Sequence, residues 1–249
     1  MRVTAALALL GGGLCAVVLT AQAPPRDEAA GLAQTIARMR RTANFRASGR
    51  LVKVDAGGRR QAYGIAMRAT AGAAGTMNLV YNVTEPAPVR MTLSIELRQV
   101  GPAIVRVARG GDKQLKEVPF ANWQEAILDS GLTFEDLLDD QFRWSRQRLG
   151  PPEKYGARHC RVLHSEPGPA DRSHYSLVTS WLDEQILHPV KVEKVVRGSG
   201  VVKEFLYYGL RKSGVLWSAG QIEVRTKGKP GSTFLIITRG AVEKAGAAP

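Results

Sequence analysis

SWLDEQILHPVKVEKVV, residues 180–196, holds two extended runs around the tight His188-Pro189 break. Leu177, Thr179 and Trp181 alternate before the break, Val190 and Val192 after it, and Lys191 and Glu193 occupy the opposite face. A period of two with one apolar face marks a half-buried strand, and a short turn between two such runs makes an antiparallel hairpin. What covers that apolar face decides the fold.

The same period recurs upstream. Tyr63, Ile65 and Met67 alternate with Ala62, Gly64 and Ala66, and Met77, Leu79, Tyr81 and Val83 alternate with Thr76, Asn78, Val80 and Asn82. The clearest run sets Met91, Leu93, Ile95 and Leu97 against Thr92, Ser94 and Glu96. Turn signals at Asp55-Ala56-Gly57-Gly58, Gly72 to Gly75, Glu85-Pro86-Ala87-Pro88 and Gly101-Pro102 separate these runs. Links this short join antiparallel neighbours, because parallel strands need long crossovers. A second batch of strands is expected over 141–150, 155–166, 173–183, 189–197, 201–212, 215–226 and 232–239.

Helical signals are few. Leu32, Ile36 and Met39, with Ala29 and Ala33, form one apolar stripe over 27–42, with Asp27 and Glu28 at its positive end and Arg38, Arg40 and Arg41 at its negative end. Between the two strand batches, Trp123, Ile127 and Leu128 follow Asn122 at helical spacing, and Thr133 opens another short helix containing Phe134, Glu135, Asp136 and Leu137. Three short helices cannot cover one face of a sheet of about a dozen strands, so the sheet must curl on itself. The expected fold is mainly β (α+β): a curved antiparallel sheet forming an incomplete, half-open β-barrel with an N-terminal helix and a central helical lid.

The N-terminus bears on the compartment. Arg2, the apolar stretch Val3 to Leu19 and the small-x-small site Ala21-Gln22-Ala23 follow the order of an export peptide over residues 1–23. An uncleaved anchor is the lesser reading, since about 17 apolar residues are at the short end of what spans a bilayer. Cys15 lies inside the expected peptide, and the bulky Leu14 before it argues against lipidation. Removal of the peptide leaves Cys160 as the sole cysteine, so no internal disulfide forms and a core must hold the chain together. One domain over 24–244 and a flexible tail at 245–249 are expected.

The formal net charge of the 249 residues is +13. The densest basic runs, Arg38-Met39-Arg40-Arg41 and Arg143 to Arg148, lack the interleaved aromatic platform of single-strand readers, and export argues against nucleic acid as well. Anionic lipid headgroups are the better functional match for such a surface, with a merely solvated basic surface as the equal alternative. No nucleophile elbow, phosphate-binding Gly-rich loop or His-Glu-x-x-His motif is present. His159, His164, His174 and His188 are scattered and read as structural. Glu135, Asp136, Asp139 and Asp140 form the acidic cluster; with Arg143 and Arg146 following, it reads as a solvated, salt-bridged face rather than an acid/base pair. Neither catalysis, nor a metal, nor another cofactor is expected. A sheet curled around an apolar interior and lidded at one end is instead a container for an apolar ligand.

The first helix running into NFRASGRLVKV (44–54), GLTFEDLLDD (131–140), SWLDEQILHPVKVEKV (180–195), KEFLYYGLRKSGVLW (203–217) and STFLIIT (232–238) together resemble the outer-membrane lipoprotein-sorting proteins of the LolA-like group. That group is similar in fold to LolB and to the lipid-sensing domain of RseB. The most specific points are Trp181-Leu182-Asp183, Pro189, Lys203 and Trp217. The resemblance implies an antiparallel, incomplete barrel closed by helices, an apolar cavity for lipoprotein acyl chains, and no catalysis. The expected function is that of a periplasmic carrier of lipoprotein or lipid acyl chains, working as a monomer with inner- and outer-membrane transport machinery. The runner-up is an envelope signalling or protein-interaction module with a side-chain-filled interior, and a third reading, with no turnover expected, is an envelope hydrolase working through the Glu135 to Asp140 cluster. Cavity candidates are Met77, Leu79, Tyr81, Met91, Leu93, Ile95 and Leu97, with Trp123, Ile127, Phe134 and Leu137 as the lid.

Overall fold

Strand β1 (Asn44–Val54) is the axis of the molecule. From it β2 (Arg60–Ala71), β3 (Met77–Glu85), β4 (Met91–Leu97), β5 (Ile104–Arg109) and β6 (Lys116–Glu117) step outward as an antiparallel meander. The second batch comprises β7 (Arg146–Leu149), β8 (Glu153–Tyr155), β9 (Arg158–Glu166), β10 (Tyr175–Asp183), β11 (Pro189–Val196) and β12 (Val202–Tyr208), then a separate hairpin of β13 (Arg211–Ser213) and β14 (Leu216–Ser218), then β15 (Gln221–Thr226) and β16 (Ser232–Glu243). β16 pairs with the free side of β1 along its whole length, so both batches merge into one 14-stranded antiparallel sheet. This computed structural model describes residues 26–41, 43–214 and 216–243; the expected export peptide (1–23) and tail (245–249) lie outside them.

The sheet is curved but not closed. A bulge between Ser48 and Gly49 interrupts the register of β1 with β16, and bulges increase local bend and twist. Gly49 is required there, since a β-carbon would meet the Ile236 carbonyl oxygen at 1.9 Å. β6 and β7 are the free edges of the sheet path, and the chain leaves at the first and re-enters at the second. The intervening segment 118–145 must therefore span the opening. The topology itself makes it a cover.

Helix α1 (Arg26–Met39) buries the expected stripe of Ala29, Leu32, Ala33 and Ile36 against Phe142, Leu163 and Leu182. The spanning segment differs from expectation. Instead of two helices it has four single 3-10 turns, Phe120–Asn122, Ile127–Asp129, Glu135–Leu137 and Asp140–Arg143. Leu128, Asp129 and Asp139 take left-handed backbone angles (φ 54, 53 and 50°), which no continuing α-helix accommodates. Asn122 bonds Glu125 with its side chain rather than capping a helix. The segment folds as a compact irregular layer because it is held from outside, at points its own periodicity does not show.

The 180–196 hairpin also differs in detail. Ser180 stands opposite Val192 and Trp181 opposite Lys191, so Val178, Ser180 and Leu182 face inward. Leu177, Thr179 and Trp181 lie on the other face. Trp181 donates its indole N–H to Glu153 and packs under the Lys191 ammonium, 4.5 Å from the ring centroid. The inner face carries a serine in mid-strand, which hid its burial.

The strongest external hold is electrostatic. Lys194 and Lys203 are direct cross-strand neighbours on β11 and β12, both buried, a repulsive arrangement if left alone. Asp136 from the spanning segment answers both: its side chain is 0% exposed, ion-paired to Lys203 and 3.5 Å from Lys194. Its carboxylate also accepts the Thr133 N–H and hydroxyl, each at 2.9 Å, and the Tyr175 hydroxyl at 2.6 Å. Lys194 lies over the Phe205 ring, 4.6 Å from its centroid. Beside it, Glu135 accepts Ser173 Oγ (2.6 Å), His174 N (3.0 Å) and Gln124 Nε2 (2.8 Å). Gly131 N donates to Thr233 Oγ1 of β16 at 2.7 Å. Glu135 and Asp136 are thus buried, not part of a solvated face, because cations and donors from distant strands meet them.

Burial raises the Asp136 pKa, but Lys203 and Lys194 outweigh it and hold the carboxyl at about 2, below its ordinary 3.8. A depressed carboxyl pKa gives stability that is complete above about pH 4 and is lost as pH falls toward 2, worth about 2 kcal/mol here. Asp136→Asn takes from two buried lysines the carboxylate they share and is expected to cost about 3–5 kcal/mol in urea unfolding at neutral pH. The same variant should lose much of the wild type's further destabilisation between pH 4 and 2.

Candidate functional site

Over most of its inner surface the sheet is tightly covered. Met91, Leu93, Ile95, Val105 and Val107 pack under Trp123, Ile127, Phe134 and Leu138 as a solid core, with Ile95 and Phe134 both 0% exposed. A second cluster of Leu132, Trp144, Tyr175, Val178, Val192 and Phe205 fills the space beneath the other half of the spanning segment. Between these masses the middle of the sheet is left uncovered.

A cavity of about 350 Å³ lies there, at the end of the sheet where α1 runs into β1. Its floor is the inner row of the central strands: Phe45 of β1, Ile65, Met67 and Ala69 of β2, and Leu235 and Ile237 of β16. One wall comes from β3 and β4 through Met77, Leu79, Tyr81 and Leu97, the other from β12 and β15 through Phe205, Tyr207, Ile222 and Val224. The C-terminal turn of α1, Leu137 to Asp139, the 186–189 turn and Trp217 to Ala219 complete it. Phe45, Ile65, Met67, Tyr81, Leu137, Tyr207 and Ile222 are only half-buried, because the side of each that faces the hollow meets no protein. Keeping that much apolar surface uncovered is unfavourable by about 25 cal/mol per Å².

Of the residues expected to line a cavity, Met77, Leu79, Tyr81 and Leu97 do so, while Met91, Leu93 and Ile95 lie further along the same face inside the solid core. Of the expected lid, Leu137 reaches the cavity; Trp123, Ile127 and Phe134 pack over the core instead. The residues missed are those of β1, β2, β12, β15 and β16. Their alternation is visible in Ile65-x-Met67 and in Phe205-x-Tyr207, but periodicity gives a face and not a position along the trough.

The polar groups around the hollow are tied down. Arg40 pairs with Asp139, and Arg41 and Arg143 both pair with Asp140. Arg41 also donates to the Arg98 carbonyl (2.9 Å) and Arg143 to that of Gln99 (2.6 Å). Burial raises the Asp139 pKa, but Arg40 outweighs it and holds the carboxyl below its ordinary value; at Asp140 burial prevails and the pKa is raised. Each acid of the sequence cluster thus has its own partners among the described residues. His188 is pushed down to about 4, first by burial and then by Arg40, so its ring is neutral at pH 7. Burial also raises the pKa of the Tyr81 and Tyr207 phenols. Apart from Asp136 and the paired groups Arg40, Arg41, Asp139 and Arg143, the lining of the hollow is uncharged. Among the described residues, no group of three or more His, Cys, Asp or Glu could hold a metal ion, and no helix is long and apolar enough to cross a membrane.

A curved antiparallel sheet, open between its edges and spanned by one irregular cover over an apolar hollow, is the LolA-like fold. Several solved structures share it. A DUF1329 family protein from Desulfovibrio piger superposes with a TM-score of 0.80 at 14% identity, covering 89% of this chain and 94% of that one. A domain described as an outer membrane lipoprotein-sorting protein, from Vibrio parahaemolyticus, gives 0.78 at 16% identity over 89% and 94%. A LolA superfamily protein from Nitrosomonas europaea gives 0.65 at 15% identity over 86% and 93%. No curated protein matches the chain. A family model described as "Uncharacterized protein" matches residues 112–245, more than half of the sequence, and the chain belongs to that family.

Two outcomes check this geometry. Met67→Trp extends into open space and is expected to leave stability within about 1 kcal/mol of wild type, whereas Ile95→Trp overpacks the solid core and costs about 1–3 kcal/mol or more, both read by urea unfolding. For His188, NMR titration of the folded protein should give a midpoint near pH 4. Because that value lies below the ordinary 6.5, the stability His188 contributes is present above about pH 6.5 and declines as pH falls toward 4.

Proposed function

We propose that the protein is a periplasmic carrier that shelters acyl chains of lipids or lipoproteins in this hollow, for sorting toward the outer membrane. The observation that carries the reading is the row of half-buried apolar side chains around a cavity of about 350 Å³. A chain of ~15 methylenes in water is unfavourable by roughly 12 kcal/mol, at ~0.8 kcal/mol per methylene. Burying part of such a chain against the uncovered lining relieves both surfaces at once, and the spanning segment supplies a partial cover. On this reading residues 1–23 direct export and are removed, residues 24–244 act as one lipid-binding unit, and 245–249 are a tail. The likeness to lipoprotein-sorting structures supports the fold that this function uses.

The protein has no catalytic step on this account, since Glu135, Asp136, Asp139 and Asp140 are each committed to structural bonds. Cargo handover involves inner- and outer-membrane machinery that meets the basic surface. An interaction module would be better served by a filled interior than by this open one.

Native mass spectrometry of protein purified from an envelope fraction is expected to show lipid-sized adducts, and an environment-sensitive fatty-acyl probe should bind and be displaced by lipid. Met67→Glu, which puts a charge on the floor of the hollow, should weaken probe binding by about tenfold or more while the fold persists. Bare protein in the spectrum together with no probe binding would overturn the proposal.

A further inference from the structure

Two phenols interrupt the apolar walls. Tyr81 on β3 and Tyr207 on β12 both line the cavity, and in the sheet they are separated by β2, β1, β16 and β15. They therefore face one hollow from opposite walls. Tyr175 and Tyr208 donate to Asp136 and Glu223, but the Tyr81 and Tyr207 hydroxyls have no hydrogen-bond partner among the described residues. Beside Tyr207, the His188 ring stands edge-on at 5.7 Å between centroids. His188 Nδ1 is 2.8 Å from the Pro189 carbonyl oxygen, which only accepts, so Nδ1 carries the hydrogen and Nε2 of the neutral ring is an acceptor.

While the hollow holds water these groups are solvated. A bare hydrocarbon that displaced the water would strand two hydroxyls in an apolar site, at about tenfold in affinity for each. An acyl chain whose head carries a carbonyl offers an acceptor to both hydroxyls, neither of which bonds His188 Nε2 or any other described residue. A carboxylate is a poorer fit, because Asp139 already makes the field at both phenols negative and already occupies Arg40.

We infer that Tyr81 and Tyr207 form a polar subsite within the hollow that recognises the uncharged ester or amide group at the head of an acyl chain. This rests on the carrier reading and narrows it: the subsite sets how deep a chain sits and favours acyl derivatives over free fatty acids and hydrocarbons.

The test uses the full exported chain and a Tyr81→Phe/Tyr207→Phe variant, which preserves ring packing. Four ligands of equal chain length compete for a fluorescent probe: a monoacylglycerol, an N-acyl glycinamide, the free fatty carboxylate and the n-alkane. The wild type is expected to bind the ester and the amide more tightly than the other two. In the variant, ester and amide should weaken by about tenfold or more while the alkane is unchanged or tighter. Infrared spectra with a ¹³C-labelled carbonyl should show a lowered stretch in the wild type that is lost in the variant. Equal changes for ester and alkane, or a carboxylate that binds wild type as tightly as the ester, would overturn the subsite and leave the carrier reading standing. If none of the four binds the wild type, both fall.

Discussion

The structure depends on one buried carboxylate between two buried ammonium groups. Lys194 and Lys203 face each other across β11 and β12 on the inside of the sheet, where their repulsion would otherwise drive them apart or out to water. Asp136 satisfies both only if the spanning segment lies at one depth and in one register. The local Thr133-x-x-Asp136 pair shapes the turn that presents the acid, and Tyr175 closes the remaining side. With Glu135 clamped on Ser173 and His174 and Gly131 tied to Thr233, the cover is anchored to the β10 approach, to β11 and β12, and to the central strand β16.

That anchoring explains why one part of the trough is solid and another open. Trp123, Ile127 and Phe134 are brought down onto β4 and β5, and Leu132 and Trp144 onto the β10–β12 side. The middle of the sheet receives only the C-terminal turn of α1 and the edge of the cover at Leu137 to Asp139. Strands held by ladder hydrogen bonds cannot collapse into the gap as loose side chains would, so the apolar surface between them stays uncovered. The curvature that begins at the Ser48–Gly49 bulge and the ion pairs that fix the cover together produce a cavity neither would make alone.

Much of this was legible in the sequence. Alternation in 77–83 and 91–97 gave the strands and their inner faces, the Gly- and Pro-rich links gave antiparallel order, and the shortage of helices gave a curved sheet with an N-terminal helix and a crossing segment. What was not legible is contact between residues far apart in the chain. The acids at 135–140 read as solvated because the lysines that bury Asp136 are 58 and 67 residues away. Leu177, Thr179 and Trp181 read as the apolar row because Ser180 masks the inner row of Val178 and Leu182, while Trp181 packs outside against Glu153 and Lys191. Met91, Leu93 and Ile95 share the face of Met77 and Leu79, and only the three-dimensional path of Trp123 and Phe134 decides which of them is covered.

A charged pin suits this fold better than an apolar one for a physical reason. Replacing a buried ion network by well-packed hydrophobic residues is often neutral or stabilising, so net stability does not account for the triad. Apolar contacts are tolerant of sliding, however, and a cover free to slide would sink toward the uncovered surface of Ile65, Met67 and Ile222, where each ångström of descent gains burial. Descent would pull the Asp136 carboxylate away from the two ammonium groups it pairs with, and that loss grows steeply in a dry interior. The triad thus opposes hydrophobic collapse at the point where collapse would erase the cavity, through two lysines that stand outside the lining and one acid that borders it, leaving the strand walls themselves free to be apolar.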